Sequence, residues 1–465
     1  MFTPPLLPAR ARGAAAGAAI AAGSALVVCL PLAPGPGALA GLLLAAGSAL
    51  ASLLALWVAV PEAIVALVPT LAPSPIVAYT FAWEWALALL LLVTIVHGVR
   101  RNTAWVWSVS PMERWLLAFT AWALFTGFWC TTSLYYLLGM RRLVVGASVL
   151  WVALRLPHLA PRRWFNLGVV GAAGAIALAA ILHSLSTGFS QMQALLHRTQ
   201  VTDLGWGTAN YVATLLLLCG PSLLRLALRG EPSERVLAGV AFALATVVEF
   251  IVASRAALAL FIIATLLLLV HATRRYKLAV TLAGLGAVTG ILASPLGVGV
   301  LSRIGSLRDL GSMTIRIWYF REGTQRLLEH LPWGMGLGQG YANADRLKGI
   351  DPHNYWLLVG GDLGLPGLVL WAGFLVTVVR AWLDVRHDEP SRETAFTILL
   401  TFAIGNLHAL VEPTFQGGQY QLLFMWIVCG TLAYTRAGRA RAAHSMSAGT
   451  TRAPLPEAAA AASGA

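Results

Sequence analysis

The sequence predicts an all-α integral membrane protein with about 12 transmembrane helices and one long outward loop. First, 58% of the 465 residues are hydrophobic and only 11% are charged, too few to cover a soluble protein of this size. Second, apolar runs of about 17 residues or more, long enough to cross a bilayer as helices, recur along nearly the whole chain. Third, these runs lack the in/out alternation of a membrane β-barrel.

The apolar runs define the candidate membrane spans. In chain order they lie at about 13–32, 38–58, 79–98, 113–130, 134–154, 165–185, 208–228, 236–252, 255–271, 278–294, 361–382, 393–411 and 418–436. The proline-rich stretch 59–78 is ambiguous, because it fits a re-entrant or broken helix as well as a further crossing. The predicted number of spans is therefore about 12 to 14.

The net charge of +13 is explained by membrane topology. Most Lys and Arg residues lie in every second connection between spans, and the positive-inside rule assigns these basic connections to the cytoplasm. This explanation of the charge argues against nucleic-acid binding. The remaining connections then face outward, at about 186–207, near Ser254, at 295–360 and at 412–417. We expect one transmembrane domain, 1–436, containing the periplasmic loop 295–360 and followed by a disordered cytoplasmic tail, 437–465.

Two arginines, Arg141 and Arg142, lie well inside the candidate span 134–154. In one interpretation the helix ends shift so that both arginines reach an interface. In the other they stay buried and face a polar cavity, where an intramembrane charge commonly marks function. The sequence leaves both interpretations open.

The loop 295–360 is the one long polar segment between spans, and its apolar and aromatic residues argue against disorder. Ser312 is a candidate helix cap, and the helix is expected to run to about His330. On it, Glu322 pairs with Arg326 four residues later. Arg316 has no such neighbour, and its planar fork of donors suits a phosphate. The alternative is contact with a lipid headgroup or simple snorkelling.

Two further residues on the outward side, Arg255 and His353, are candidates for anion binding and for proton transfer. Arg255 stands between two apolar runs without a helical counter-charge, on the side that the positive-inside rule disfavours for arginine, which favours a bound anion. His353 precedes a glycine-rich turn and the next span. A lone histidine is more often structural, but histidine is also the side chain best suited to proton transfer near neutral pH.

Four short elements resemble the O-antigen ligase/polymerase family of lipid-linked glycan transferases. Pro352-His353-Asn354-Tyr355 running into the Gly-Leu-Pro-Gly of 364–367 resembles its His-Asn…Gly-Leu-Pro-Gly signature, and Ser254-Arg255-Ala256 its Ser-Arg-Gly/Ala element. Arg316 followed by 332–338 resembles its Arg…Pro-x-x-Gly-x-Gly-x-Gly element, and 205–210, ending in Asn210, its Gly-rich turn. Their order and outward placement match too, over about 80–436.

The resemblance implies an activity, a location and partners. Family members sit in the bacterial inner membrane with the active site on the periplasmic face, and they take a glycan from undecaprenyl diphosphate without metal or nucleotide. Ligases pass it to lipid A–core, and polymerases to a second lipid-linked glycan. The implied partners are thus the lipid-linked donor, one of these acceptors and membrane lipids, and no nucleic acid.

The resemblance also implies residue roles that fit the chemistry. His353 would deprotonate the acceptor hydroxyl, while Arg255 and Arg316 stabilise the leaving diphosphate in place of a metal. Asn210 is a further substrate-binding candidate from the family's turn, and Arg142 could also reach the diphosphate. The outward loops contain no Asp-x-Asp pair or tight carboxylate cluster, and the four cysteines are scattered without metal-ligand spacing, so no cofactor is expected.

The acceptor cannot be read from a motif, so ligase, which we favour, and polymerase stay open. From another class, a transporter or flippase of lipid-linked glycans would predict paired repeats with broken helices. The sequence has neither, only the one long outward loop.

Overall fold

The structure is a computed structural model of the chain. It describes residues 62–73, 75–77, 80, 81, 82–101, 103–131, 133–186, 209–252, 254–272, 310–339, 353–387, 392–412, 415 and 417–450. The predicted spans 13–32, 38–58 and 278–294 lie outside these residues. So do the loop segments 295–309 and 340–352 and the tail beyond 450.

The described part of the chain is almost entirely helical. The helices are α1 (Ala63–Thr70), α2 (Ala82–Arg101), α3 (Ala104–Trp107), α4 (Pro111–Phe125), α5 (Ser133–Leu159), α6 (Arg162–Ser186), α7 (Ala209–Arg229), α8 (Pro232–Val252), α9 (Arg255–Ala272), α10 (Leu310–Glu329), α11 (Tyr355–Val385), α12 (Arg392–His408), α13 (Gly418–Met425) and α14 (Thr431–Thr450). A 3₁₀ turn, Thr126–Phe128, follows α4, and a π-helical turn, Trp426–Gly430, joins α13 to α14.

Seven helices of the described chain are long and apolar enough to cross a membrane, so the prediction of a multi-pass membrane protein is confirmed at this level. They are α2, α5, α6, α7, α8, α9 and α11. α4 and α12 coincide with the predicted spans 113–130 and 393–411 but are shorter, with 15 and 17 residues. Among the helices that the structure describes, each long apolar run became a helix because a spanning backbone must satisfy its own hydrogen bonds.

The ambiguous stretch 59–78 does not form a further crossing in its described part. Its helix, α1, has 8 residues, every one of them buried, and packs against α2 and α6. At 1.5 Å per residue this helix is about 12 Å long, much shorter than a hydrocarbon core of about 30 Å. A small antiparallel pair of strands follows, β1 (Pro75–Val77) and β2 (Thr80–Phe81), and is the one departure from the all-α prediction within the described ranges.

The helices α7, α8 and α9 are joined by short connections at 230–231 and 253–254 and therefore alternate in direction. The start of α7, the end of α8 and the start of α9 lie at one end of the bundle, which we call the outer end. The connection 230–231 marks the opposite, inner end. The start of α11 and the end of α12 also belong to the outer end, because hydrogen bonds join both to each other and to Asn210 at the start of α7.

The two glycine-rich segments of the sequence, 332–338 and 361–367, pack directly on each other. The Gly336 N–H donates to the backbone oxygen of Asp362 (2.8 Å), and the Gly338 N–H donates to the Asp362 carboxylate, also at 2.8 Å. Gly336 and Gly338 both have positive φ, which lets the loop lie flat against the helix. The loop after α10 is thereby fixed to the outer part of α11.

Gly364 produces the kink in α11 that receives this loop. Its φ of 65° is non-helical, and a Cβ here would lie 2.1 Å from the backbone oxygen of Pro332. Trp122 Nε1 donates to the carbonyl of Leu363 at 2.8 Å, which satisfies a backbone group freed by the kink. Only glycine fits both the backbone angle and the close approach.

The C-terminal helix differs from the expected disordered tail. α14 continues to Thr450, whereas we expected an unstructured tail from about residue 437. Arg436 pairs with Asp384 at the end of α11 (2.8 Å), and Arg439 donates to the backbone oxygen of Asp384 at the same distance. The many alanines of this segment favour helix, and these contacts hold its first turns.

Candidate functional site

The centre of the candidate site is Glu412, a buried carboxylate that accepts hydrogen bonds from three distant parts of the chain. Its Oε1 lies 2.9 Å from Arg316 Nη2 and 2.9 Å from Asn210 Nδ2, and its Oε2 lies 3.0 Å from His353 Nδ1. These partners are 96, 202 and 59 residues away in sequence. We call these four residues the Glu412 cluster. It lies at the outer end of the bundle.

The position of His353 is set by the start of α11. Asn354 caps this helix, since its side chain accepts from the Leu357 N–H (3.0 Å), and its amide donates to the Leu410 carbonyl (3.0 Å). The Tyr355 N–H also donates to the Ala409 carbonyl at 2.9 Å. The start of α11 is thus bound to the chain that follows α12, which carries Glu412.

His353 also has an unusual backbone. Its φ is 47°, a left-handed conformation that is uncommon and costly for a residue other than glycine. The conformation directs the imidazole to Glu412, and Tyr319 of α10 stacks on the ring with centroids 5.1 Å apart and planes 19° apart. The imidazole is therefore oriented by a carboxylate at Nδ1 and by an aromatic face.

Arg316 and Tyr319 lie three residues apart on α10 and so face the same side of the helix. One contacts Glu412 and the other contacts His353, so a single turn of α10 covers the cluster. The Arg316 side chain is 45% exposed, whereas that of Glu412 is only 10% exposed. Arg316 therefore binds a buried carboxylate while part of its own side chain stays exposed at the protein surface.

Glu412 is ionised at neutral pH. Burial by itself raises the pKa of this carboxyl, but the hydrogen bond from His353 and the positive charges of His353 and Arg316 outweigh it. The net pKa lies below the usual value of 4.5. The ionised carboxylate therefore lies 3.0 Å from Nδ1 of the imidazole and orients the ring.

A second layer supports Asn210. The Thr214 hydroxyl donates to the Asn210 carbonyl (2.7 Å), and its oxygen lies 3.3 Å from Nε2 of His408, which is fully buried. The His408 carbonyl in turn accepts the Glu412 N–H at 3.0 Å. These contacts fix Asn210 and Glu412 relative to each other.

A cavity of about 330 Å³ lies between α5, the outer part of α11 and the loop at 337–338, and none of the four cluster residues lines it. Its walls are mostly apolar, and its polar lining includes Arg142, Asp362 and Gln421. Tyr355 and Phe415 also line it; the first is two residues from His353 and the second is three residues from Glu412. The cavity combines an apolar interior with a guanidinium, which suits an amphipathic ligand.

The two intramembrane arginines have different surroundings. Arg141 forms an ion pair with Glu84, which lies in the first turn of α2. Arg142 lines the cavity and interacts electrostatically with Tyr211, the residue after Asn210. For Arg142 this favours the interpretation of a charge that faces a cavity.

Three of the five predicted site residues thus come together: Asn210, Arg316 and His353. Arg142 lies on the adjoining cavity. Arg255 is exposed and begins α9, directly after the buried Ser254, at the outer end and on a helix that packs against α7. The predicted helix is confirmed as α10, and so is its Glu322–Arg326 pair at 3.1 Å, but the helix begins at Leu310, so Ser312 lies inside it and is not its cap.

The interpretation of Arg316 as an arginine without a partner was wrong. It considered only neighbours along the helix, and the partner is Glu412. Sequence reasoning had placed 412–417 in an outward connection but had assigned Glu412 no role. The available signal was a carboxylate directly after a long apolar run, on the side where unpaired arginines were expected.

No protein-family model matches the chain, and no curated protein matches its sequence. The relation to the O-antigen ligase/polymerase family therefore stays a resemblance of short motifs. The functional argument depends on the geometry of the Glu412 cluster and on the chemistry that this geometry permits.

Proposed function

We propose that the protein is a metal-independent inverting glycosyltransferase that moves a glycan from undecaprenyl diphosphate to an acceptor at the outer membrane face. The observation that carries the proposal is the 3.0 Å contact between His353 Nδ1 and the Glu412 carboxylate, with the exposed Arg316 bound to the same carboxylate. A base and a cation lie together, and a mostly apolar cavity lies between α5 and the outer part of α11. The motif resemblance supports the same reaction.

His353 acts as the general base. With Nδ1 held by Glu412, Nε2 carries the lone pair of the neutral ring and takes the proton of the acceptor hydroxyl. The ionised Glu412 stabilises the imidazolium that forms and fixes the tautomer. The acceptor oxygen attacks the anomeric carbon from the face opposite the leaving group, so the new bond forms as the bond to the phosphate oxygen breaks.

The leaving diphosphate gains negative charge as that bond breaks. Arg316 binds Glu412 through Nη2, and the rest of its guanidinium fork is available to phosphate oxygens. Arg142, in the adjoining cavity, and Arg255, at the start of α9, are further phosphate ligands in this proposal. The first isoprene units of the lipid occupy the apolar part of the cavity, beside Arg142.

The proposed setting is the bacterial inner membrane. A transmembrane domain of about 12 spans carries the site on the periplasmic face, with 295–360 as a periplasmic loop. We propose lipid A–core as the acceptor, which would make the protein an O-antigen ligase. The polymerase alternative differs only in its acceptor, a second lipid-linked glycan.

The test is transfer by the purified chain reconstituted with an undecaprenyl-diphosphate glycan and lipid A–core. We expect transfer to persist in chelator and to fall about 10³-fold in His353→Ala, the size of a general-base contribution. His330→Ala is the matched control, since His330 is an exposed histidine directly after α10, and it should keep full activity. A His353→Ala variant with full activity would overturn the mechanism.

Two further outcomes separate the alternatives. A donor with a single repeat that is lengthened without lipid A–core identifies a polymerase. Movement of lipid-linked glycan across the bilayer without any transfer identifies a flippase and overturns the proposed function.

A further inference from the structure

A second cluster of charges lies at the inner end of the bundle, away from the proposed active site. It is formed by Arg162, the first residue of α6, by Arg225 near the end of α7, and by Glu234 in the first turn of α8. Asn210 and Arg225 lie on the same helix, and 15 residues at 1.5 Å each separate them by about 22 Å. The inner cluster is therefore a separate feature.

The two arginines of this cluster have unsatisfied donors. Arg162 Nη2 and Arg225 Nε are buried, and neither has a hydrogen-bond partner among the residues that the structure describes. A buried N–H of a charged group without a partner is among the most costly arrangements in a protein. Both atoms therefore indicate an acceptor that the described chain does not supply.

The nearby carboxylate does not fill this need. Glu234 Oε1 accepts from Asn166 Nδ2 at 3.0 Å, and its Oε2 accepts from the Glu231 N–H at 3.2 Å. Both oxygens are thus bound by neutral donors. Glu234 attracts Arg162 and Arg225 electrostatically but forms no ion pair within 4.0 Å with either of them, among the residues described.

The neighbouring ion pair also does not supply an acceptor for Arg162 and Arg225. Glu393, at the start of α12, binds Arg229 through two contacts of 2.9 and 3.0 Å. Arg162 and Arg225 also repel each other, because each lies within electrostatic range of the other. Two half-buried guanidiniums thus lie near carboxylates that already bind other groups, and a further anion would balance their charge.

We propose that Arg162 and Arg225 bind a phosphate group, supplied by an anionic phospholipid of the leaflet at the inner end. Guanidinium forks match phosphate oxygens, and basic pockets between transmembrane helices on the cytoplasmic side take phospholipid headgroups. The starts of α6 and α8 add the positive ends of two helix dipoles at the same place. Two exposed arginines, Arg163 and Arg235, lie at the same end.

The experiment uses the purified full chain, delipidated in a neutral detergent, with phosphatidylglycerol as the probe and phosphatidylcholine as the uncharged control. Binding is counted by native mass spectrometry, and thermal unfolding gives a second measurement. We expect phosphatidylglycerol to bind and to raise the melting temperature of the wild-type chain, whereas phosphatidylcholine at the same concentration does neither. Equal effects of the two lipids would overturn the proposal.

Variants then locate the site. Arg162→Gln and Arg225→Gln should each weaken phosphatidylglycerol binding at least about tenfold, the loss expected for a charge-assisted contact. Arg163→Gln is the matched control, because Arg163 is adjacent but exposed and lies over the Trp164 ring, and it should change binding less than about twofold. An equal loss in the control overturns the assignment to these two arginines.

Two additions complete the design. Arg225→Lys replaces the Gln variants if either of them fails to fold. It keeps the positive charge but loses the planar guanidinium, so we expect its affinity for phosphatidylglycerol to lie between those of the wild-type chain and Arg225→Gln. Wild-type affinity in Arg225→Lys would contradict the role of the guanidinium. Inorganic phosphate and pyrophosphate distinguish the sources of the anion. Stabilisation by these salts to the same extent as by phosphatidylglycerol would assign the site to a soluble phosphate and overturn the lipid assignment.

Discussion

Two of the arginine–glutamate pairs among the described residues lie at opposite ends of the bundle and differ in how far their side chains are exposed. In the inner pair, Arg155–Glu113, the side chains are 4% and 5% exposed. In the outer pair, Arg316–Glu412, the arginine is 45% exposed and the carboxylate 10%. Arg155 donates its hydrogen bonds to groups of the protein, whereas part of the Arg316 side chain stays exposed at the surface.

The inner pair has a structural role, because it connects α5 to the segment around the start of α4. Arg155 donates to Glu113 (2.5 Å) and to the carbonyls of Val106, Ser108 and Trp151, at 3.2, 2.6 and 2.9 Å. Glu113 also accepts the Ser110 N–H at 2.6 Å as part of the capping box that starts α4. The pair therefore ties α5 to the connection between α3 and α4, and four of the five N–H donors of Arg155 are bound by the protein.

The outer pair is arranged for binding and chemistry. Glu412 divides its two oxygens among a guanidinium, an amide and an imidazole, which brings groups with different roles into contact. The comparison shows that an ion pair by itself says little about function. What distinguishes a binding arginine is a carboxylate that orients it without using all its donors or covering its surface.

Removing each arginine gives the largest expected difference between the two pairs. Arg155→Ala should lower the free energy of unfolding by about 3–5 kcal/mol, because Glu113 is left as a buried charge. Arg316→Ala should cost less than about 1 kcal/mol, since solvent screens a side chain that is nearly half exposed. Denaturant unfolding of the purified protein in detergent measures both.

The control for this comparison is the double variant Arg155→Met with Glu113→Gln, which removes both charges and should recover much of the loss. A cost for Arg316→Ala as large as that for Arg155→Ala would mean that the outer pair is structural as well.

The next effect concerns activity and separates charge from shape. Glu412→Gln keeps the size of the side chain but removes the charge that stabilises the imidazolium of His353, so transfer should fall about 10²–10³-fold in kcat. The KM for donor should change much less. Steady-state transfer assays measure both.

The matched control is Glu329→Gln on α10, where Glu329 is exposed and accepts from Gln325 at 2.7 Å. It should keep its rate. Full activity in Glu412→Gln would show that His353 does not need the carboxylate.

The sequence predicts those parts of the fold that depend on local patterns. Long apolar runs place the described spans, because a helix must satisfy its own backbone in lipid. The four-residue spacing of Glu322 and Arg326 likewise predicts α10, although the predicted cap, Ser312, lies inside the helix. The stretch 59–78 was harder, since its prolines fit several backbones and α1 is kept in place by burial against α2 and α6.

The cluster was predictable only in part. His353, Arg316 and Asn210 belong to recognisable motifs, so each could be named. Glu412 could not, because its role comes from contacts with residues 59 to 202 positions away, and these exist only after α10, α11 and α12 have packed. The fit of 332–338 onto the kink at Gly364 is likewise a tertiary contact between two segments that read as separate glycine-rich turns.

The smallest expected effect is the dependence of stability on pH, and it tests whether Glu412 is charged as proposed. The pKa of Glu412 is lowered in the folded protein, so this group stabilises the fold above its unfolded pKa of about 4.5, and the stabilisation disappears as the pH falls through the lower, folded value. The melting temperature of the wild-type chain should therefore exceed that of Glu412→Gln at pH 6, with the gap closing below about pH 4. Glu329→Gln should show no such closing gap, and a constant difference in Glu412→Gln at all pH values would mean that its carboxylate is not the charged centre of the cluster.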